Sequence, residues 1–200
     1  EPPRVLIGGA DCKRPYSAAI LNVSAMSYGS LSKNAILALS RGAKLGGFAH
    51  NTGEGGLTPH HLEGGADIIW QIGTGYFGCR DEHGQFDAEK FRTKAAHEQV
   101  KMIEIKLSQG AKPGHGGILP ARKVTAEISE IRHVPMGKDV ISPPSHTAFK
   151  TPLELCQFIA KLRELSGGKP IGFKLCVGKR REFFALCKAM LETGVCPDFI

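Results

Sequence analysis

Apolar runs rich in β-branched residues alternate along this chain with stretches whose apolar positions recur every three or four residues. Ala18 to Met26 reads as a buried strand, and Lys33 to Lys44 as a helix capped by Ser32 and stopped by Gly46-Gly47. Phe48 to Asn51 is a short strand; Ala66 to Ile72 is another, although periodicity alone also admits a helix there. A charged helix is expected over Asp87 to Gln99 and a strand over Lys101 to Leu107. Val124 to Arg132 and Pro152 to Leu165 are helical, the second capped by Thr151. Pro170 to Val177 is a strand, Arg180 to Glu192 a helix, and Pro197 to Ile200 opens one more strand.

Strands alternating with helices indicate βα units and a parallel sheet. Each strand ends in small, polar or charged residues: Ser27, Asn51, Gln71, Lys106 with Gln109, and Lys174. Chemistry gathered at the C-terminal ends of successive parallel strands marks a β/α barrel. The expected fold is therefore α/β, a partial (β/α)8 TIM barrel of about five strands plus the start of a sixth. A complete barrel takes eight strands and typically about 250 residues, so the 200 residues read as an incomplete piece. A lead-in segment is expected over residues 1–19 and the incomplete barrel domain over 20–200. The alternative is an open doubly wound sheet. Against it, no GxGxxG follows the first strand, and Gly53-Glu54-Gly55-Gly56 lacks the spacing and the Lys-Ser/Thr of a phosphate loop.

Composition changes this picture in three places. The 25 glycines gather between apolar runs, as in loops where backbone approaches a ligand closely. The net charge of +7 comes from dispersed basic residues, and Trp70 and Tyr28 are not interleaved with them as stacking platforms. An anionic small ligand fits that balance better than nucleic acid, which is not an expected partner. The 6 cysteines form no CxxC pair and no zinc or iron–sulfur spacing, and His60-His61 has no third ligand at useful spacing. No metal site is expected, and the cysteines read as reduced core thiols. With no apolar run long enough for a membrane span and no signal-peptide pattern, the expected compartment is the cytoplasm.

Four stretches carry candidate chemistry. SAMSYGSLS, residues 24–32, ends a strand with the small residues Ala25, Ser27 and Gly29, which leave room for a flat ring; a plain strand-to-helix turn reads the same way. NTGEGG, residues 51–56, holds Glu54 in a glycine loop just past a strand end, either solvated or working. IKLSQGAKPGHGGILP, residues 105–120, sets Lys106 among apolar strand neighbours and follows it with Gln109 and Lys112. Two lysines and an amide suit a dicarboxylate or a phosphate. IGFKLCVG, residues 171–178, places Lys174 mid-strand, an expensive site for an ammonium unless it answers an anion or forms a Schiff base. QIGTGYFG, residues 71–78, sets Gln71 against a ring edge, and ISPPSH, residues 141–146, reads as a rigid turn.

Taken in this order, these stretches resemble the FMN-binding barrel of glutamate synthase, most of all its shorter stand-alone relatives, over about residues 20–200. The resemblance implies an oxidoreductase acting on CH–NH2 donors, in which reduced FMN passes hydride to the imine of 2-oxoglutarate and ammonia to give L-glutamate. It implies Ala25, Met26, Ser27, Gln71 and Lys174 around the flavin. Glu54 and Lys106 would be catalytic, and Gln109 and Lys112 substrate-binding. Electrons would come from a reductase subunit or ferredoxin through a 3Fe–4S cluster whose ligands are not in this chain, and ammonia from a glutaminase partner or from solution. Where the large synthases carry a Glu and a Gln in GEGGQLP, this chain has His115 and Ile118, a change that suits a different amine or keto acid, as in an N-methylglutamate-forming relative. A non-flavin Schiff-base barrel using Lys174 and a scaffold subunit remain the alternatives, and the piece alone is expected to be inactive.

Overall fold

The computed structural model describes residues 2–111 and 114–200. A hairpin of β1 (Arg4–Ile7) and β2 (Tyr16–Ala19) leads to α1 (Lys33–Gly46), then β3 (Ala49–Asn51), α2 (Pro59–Glu63), β4 (Asp67–Ile72), α3 (Ala88–Ala95) and β5 (Val100–Lys106). An excursion follows: β6 (Ile118–Leu119), α4 (Ala126–Arg132) and β7 (Val140–Ile141), with β6 and β7 antiparallel. The chain returns through α5 (Pro152–Leu165), β8 (Ile171–Lys174) and α6 (Arg180–Thr193).

β3, β4, β5 and β8 form a parallel sheet in sequence order, so each strand lies beside the one that precedes it in the sheet. Alternation of side chains across the strands divides its two faces. Ile68, Trp70, Ile72, Ile103, Ile105, Ile171 and Phe173 point to one face and pack on Phe91 of α3 and on Leu155, Phe158, Ile159 and Leu162 of α5. Leu186 and Met190 of α6 join that layer. The other face starts with a small apolar plug at the N-terminal strand ends, where Ala49, Ile69 and Met102 meet Ala18, Ile7 and Tyr16 of the hairpin and Phe199. Asn51, Gln71, Glu104, Lys106 and Lys174 follow on the same face toward the C-terminal ends. One face is dry and the other carries the polar groups.

Local signals explain most element boundaries. Ser32 accepts from Ala35 N–H, and Gly47 closes α1 at φ 68°, a left-handed turn that glycine adopts without a Cβ clash. Thr151 and Glu154 make a reciprocal capping box for α5.

Four expectations need correction. The predicted strand over Ala18–Met26 is split: β2 ends at Ala19, Asn22 turns the chain by donating to Ala19 O and accepting from Ala49 N–H, and only Val23 bridges to His50. Four strands, not five, make the sheet, and residues 23–26 border it through Met26 N–H to Asn51 O at 3.1 Å. The charged helix stops at Ala95 rather than Gln99, because buried Lys169 donates to the carbonyls of Ala95 and His97 and so satisfies the helix end. Residues 197–200 form no assigned strand, yet Asp198 N–H bonds to Ile171 O at 2.7 Å and Phe173 N–H to Phe199 O at 3.2 Å, as a sixth row would. Among the described residues, no helix is long and apolar enough to cross a membrane.

Candidate active site

The polar face of the sheet reaches the C-terminal strand ends as a row of amides and charges. Glu104 on β5 accepts on Oε1 from Asn51 Nδ2 at 2.9 Å and from Gln71 Nε2 at 2.6 Å. Asn51 in turn accepts on Oδ1 from Gly53 N–H at 3.0 Å. One step further along, Lys106 lies in register with Lys174 of β8, so the two ammonium stems are neighbours. The ammonium of Lys174 makes no hydrogen bond or ion pair with any described residue.

Lys106 Nζ donates to Glu54 Oε2 at 2.9 Å, with both side chains largely shielded. Glycines make this contact possible. A Cβ at Gly73 would lie 2.9 Å from Glu54 Cβ, and one at Gly117 would overlap the Glu54 carboxylate. Glu54, Lys106 and Gln109 share a cavity of about 20 Å³ with His115, Thr74 and Pro143, room for one water-sized molecule. Lys112 lies outside the described residues.

Ala25, Met26 and Ser27 run along the border of β3 beside this row. The loop of Gly53 presses against them so closely that a Cβ there would lie 2.8 Å from Ser27 N. Ser27 is buried and donates to Ser30 Oγ at 2.9 Å. Arg132, at the end of α4, reaches under the same segment. Its guanidinium donates to Tyr28 O at 2.9 Å, stands 5.1 Å from the Phe77 ring centre, and keeps a buried Nε–H without a partner. Burial lowers its pKa, and the charge of Glu54 opposes that shift.

Two further networks fasten the rim. Glu127 of α4 takes the Tyr28 hydroxyl and His60 Nε2, tying the excursion to the 24–32 segment. Burial, and then Glu127, raise the Tyr28 pKa to about 12. The ISPPSH stretch, read as a rigid turn, also supplies His146, which bonds through Nε2 to Lys106 O at 2.8 Å and through Nδ1 to the Tyr76 hydroxyl at 3.0 Å. His60 and His61 are buried in hydrogen bonds with Glu127, Thr58 and Met26 O. Of the sequence candidates, the structure gathers Glu54, Lys106, Gln109, Gln71 and Lys174 at one rim beside Ala25–Ser27. Sequence reading missed Glu104 and Arg132. Glu104 has the same apolar strand neighbours that flagged Lys106; nothing local marked Arg132.

A family profile described as "Conserved region in glutamate synthase" matches residues 12–195. The glutamate synthase large subunit-like protein YerD of Bacillus subtilis is 47% identical over 197 residues, covering 98% of this chain and 37% of that protein. The archaeal-type glutamate synthase [NADPH] of Thermotoga maritima is 42% identical over 153 residues, covering 76% of this chain and 28% of that protein. The glutamate synthase [NADPH] large chain of Bacillus subtilis is 36% identical over 157 residues, 76% of this chain and 10% of that one. The chain thus spans well under half the length of these relatives.

Proposed function

The chain belongs to the glutamate synthase family, and from that premise we propose that it forms the flavin-binding part of an FMN-dependent enzyme that reduces the imine of a 2-oxo dicarboxylic acid to an amino acid. The sheet is proposed as the wall of a β/α barrel. Strands in sequence order, with α3, α5 and α6 packed on a single face, support a wall over a doubly wound sheet, which carries helices on both faces.

The observation that carries the reading is Lys174, an ammonium on the polar face, in register with Lys106 and without a counter-ion among the described residues. Such a cation stabilises the electron-rich form of a flavin ring and raises its reduction potential. The described residues suit such a ring in their chemistry: Ala25 and Ser27 have small side chains, and Gln71 and Lys174 would offer polar groups at its edge. When bound, FMN would supply the electron pair that reduces a carbon–nitrogen double bond.

The remaining residues handle the substrate. Arg132, buried with an unspent donor, and Lys106 answer the carboxylates of the keto acid. Glu54, held 2.9 Å from Lys106, accepts or returns a proton at the nitrogen. Gln109, beside Glu54 and Lys106, orients the substrate, and His115, which lines the small cavity they share, bears on the choice of amine. A reductase or ferredoxin supplies electrons, and ammonia arrives from solution or a partner.

A visible absorption spectrum of the intact protein, purified without added cofactor, tests the flavin reading. Flavin bands are expected, and Lys174→Met should make the bound flavin harder to reduce. A colourless protein that also fails to take up added FMN ends the proposal.

A further inference from the structure

Glu104 is the one carboxylate in the amide row, and its partners reveal which way each amide faces. An ionised carboxylate only accepts hydrogen bonds, so Asn51 and Gln71 must both turn their NH2 groups toward it. Asn51 confirms the assignment from its other end, because its Oδ1 accepts from the Gly53 N–H, which can only donate. Gln71 has no such freedom left either. Its backbone N–H is tied to Thr52 Oγ1 at 3.1 Å, the residue is 2% exposed, and its NH2 is held toward Glu104 by one of its two N–H groups.

The Gln71 carbonyl oxygen, turned away from Glu104, accepts no hydrogen bond from any described residue. A glutamine amide in a ligand site is ordinarily ambiguous, since a half-turn of the amide exchanges donor for acceptor. Here Glu104 removes the ambiguity. The polar face therefore presents an acceptor at β4 and an unpaired ammonium at β8, two strands away. A ring edge that complements it carries an N–H beside a carbonyl oxygen, which is the chemistry of a cyclic imide.

We infer that Glu104 is a positioning residue that fixes Gln71 as a hydrogen-bond acceptor, so that the site selects a cofactor ring edge bearing an imide N–H. This rests on the flavin reading above, since the pyrimidine edge of the isoalloxazine ring has one imide N–H, at N3, between two carbonyls. Without Glu104 the Gln71 amide is free to turn and present its NH2 to a carbonyl of the same edge. Glu104 thus acts on the cofactor through Gln71.

The test reads the proton on that nitrogen. An N–H that donates to a fixed acceptor holds its proton more tightly, whereas the Lys174 ammonium at the same edge favours the ionised ring, so the acceptor is read against a variant that keeps Lys174. Visible absorption of the FMN-loaded intact protein is titrated with base. N3 of bound oxidised FMN is expected to ionise about one pH unit or more higher in the wild type than in Gln71→Met, a tenfold gain in proton affinity. Glu104→Leu, which leaves the Gln71 amide free to turn, should fall toward the Gln71→Met value while FMN stays bound. Gln71→Met separates hydrogen bonding from charge, since it removes the acceptor and leaves the carboxylate in place. It also keeps the test open where Glu104→Leu disturbs folding. A wild-type value that Gln71→Met leaves untouched overturns the inference; the flavin reading survives that outcome. Failure of the intact protein to bind FMN at all removes the flavin reading, and the inference with it.

Discussion

Glu54 and Lys106 come from separate strand ends, 52 positions apart, yet meet at 2.9 Å because glycines clear the space around the carboxylate. Gly117→Ala would drive a methyl into that carboxylate and displace it from Lys106. Misplacement of a catalytic group by about 1 Å can cost about 100-fold, and a loss of that order in kcat/KM is expected from steady-state kinetics, with the thermal midpoint little changed. Arg132→Gln should instead raise KM for the keto acid about tenfold or more, as one charged hydrogen bond is worth roughly 1.5–3 kcal/mol, with a smaller effect on kcat. An unchanged KM would remove Arg132 from the substrate site. Lys106, Lys174 and Glu54 were legible in the sequence because a charge in an apolar strand, or in a glycine loop, needs a reason. Arg132 was not. It ends an amphipathic helix like any surface arginine, and it is covered by distant partners, Tyr28, 104 positions away, and the Phe77 ring.

Elements were legible wherever their ends are written in local chemistry. The cap of α5 was read from Thr151, and the capping box bears it out. Thr151→Ala should cost about 1 kcal/mol in a denaturant titration, and a loss below a few tenths would mean that packing of Leu155, Phe158 and Ile159 alone sets this helix. Boundaries failed where distant groups decide them. Asn22 breaks the apolar run from Ala18 by reaching to Ala49, and Lys169 ends α3 from the segment that precedes β8. Periodicity carries no record of either partner. The short β6–α4–β7 excursion is likewise held from outside, through Glu127 to Tyr28 and His60.

At the scale of the molecule, three buried histidines set its response to acid. His50, His61 and His146 each have a pKa lowered to about 4, chiefly by burial. The unfolded chain takes up these protons near 6.5 and the folded protein resists until about 4, so the unfolded state binds more protons between those limits. Stability is therefore fully present above pH 6.5 and falls as pH drops toward 4, by roughly 1.4 kcal/mol per pH unit for each histidine. Thermal midpoints measured from pH 7 to 4 should decline through that window, and a level profile would contradict the burial of neutral imidazoles.

The opposite end of the sheet has a consequence for synthesis. Asp198 accepts from Gly9 N–H, Ile171 N–H and Arg163, joining the hairpin, β8 and α5 at one carboxylate. Strands that each dock on their predecessor can assemble in the order in which a ribosome delivers them. The Gly9 amide, by contrast, waits 189 residues for its acceptor. That turn is thus secured only after the intervening strands have been made, and a nascent protein that stalls before Asp198 leaves the seam open to a protease.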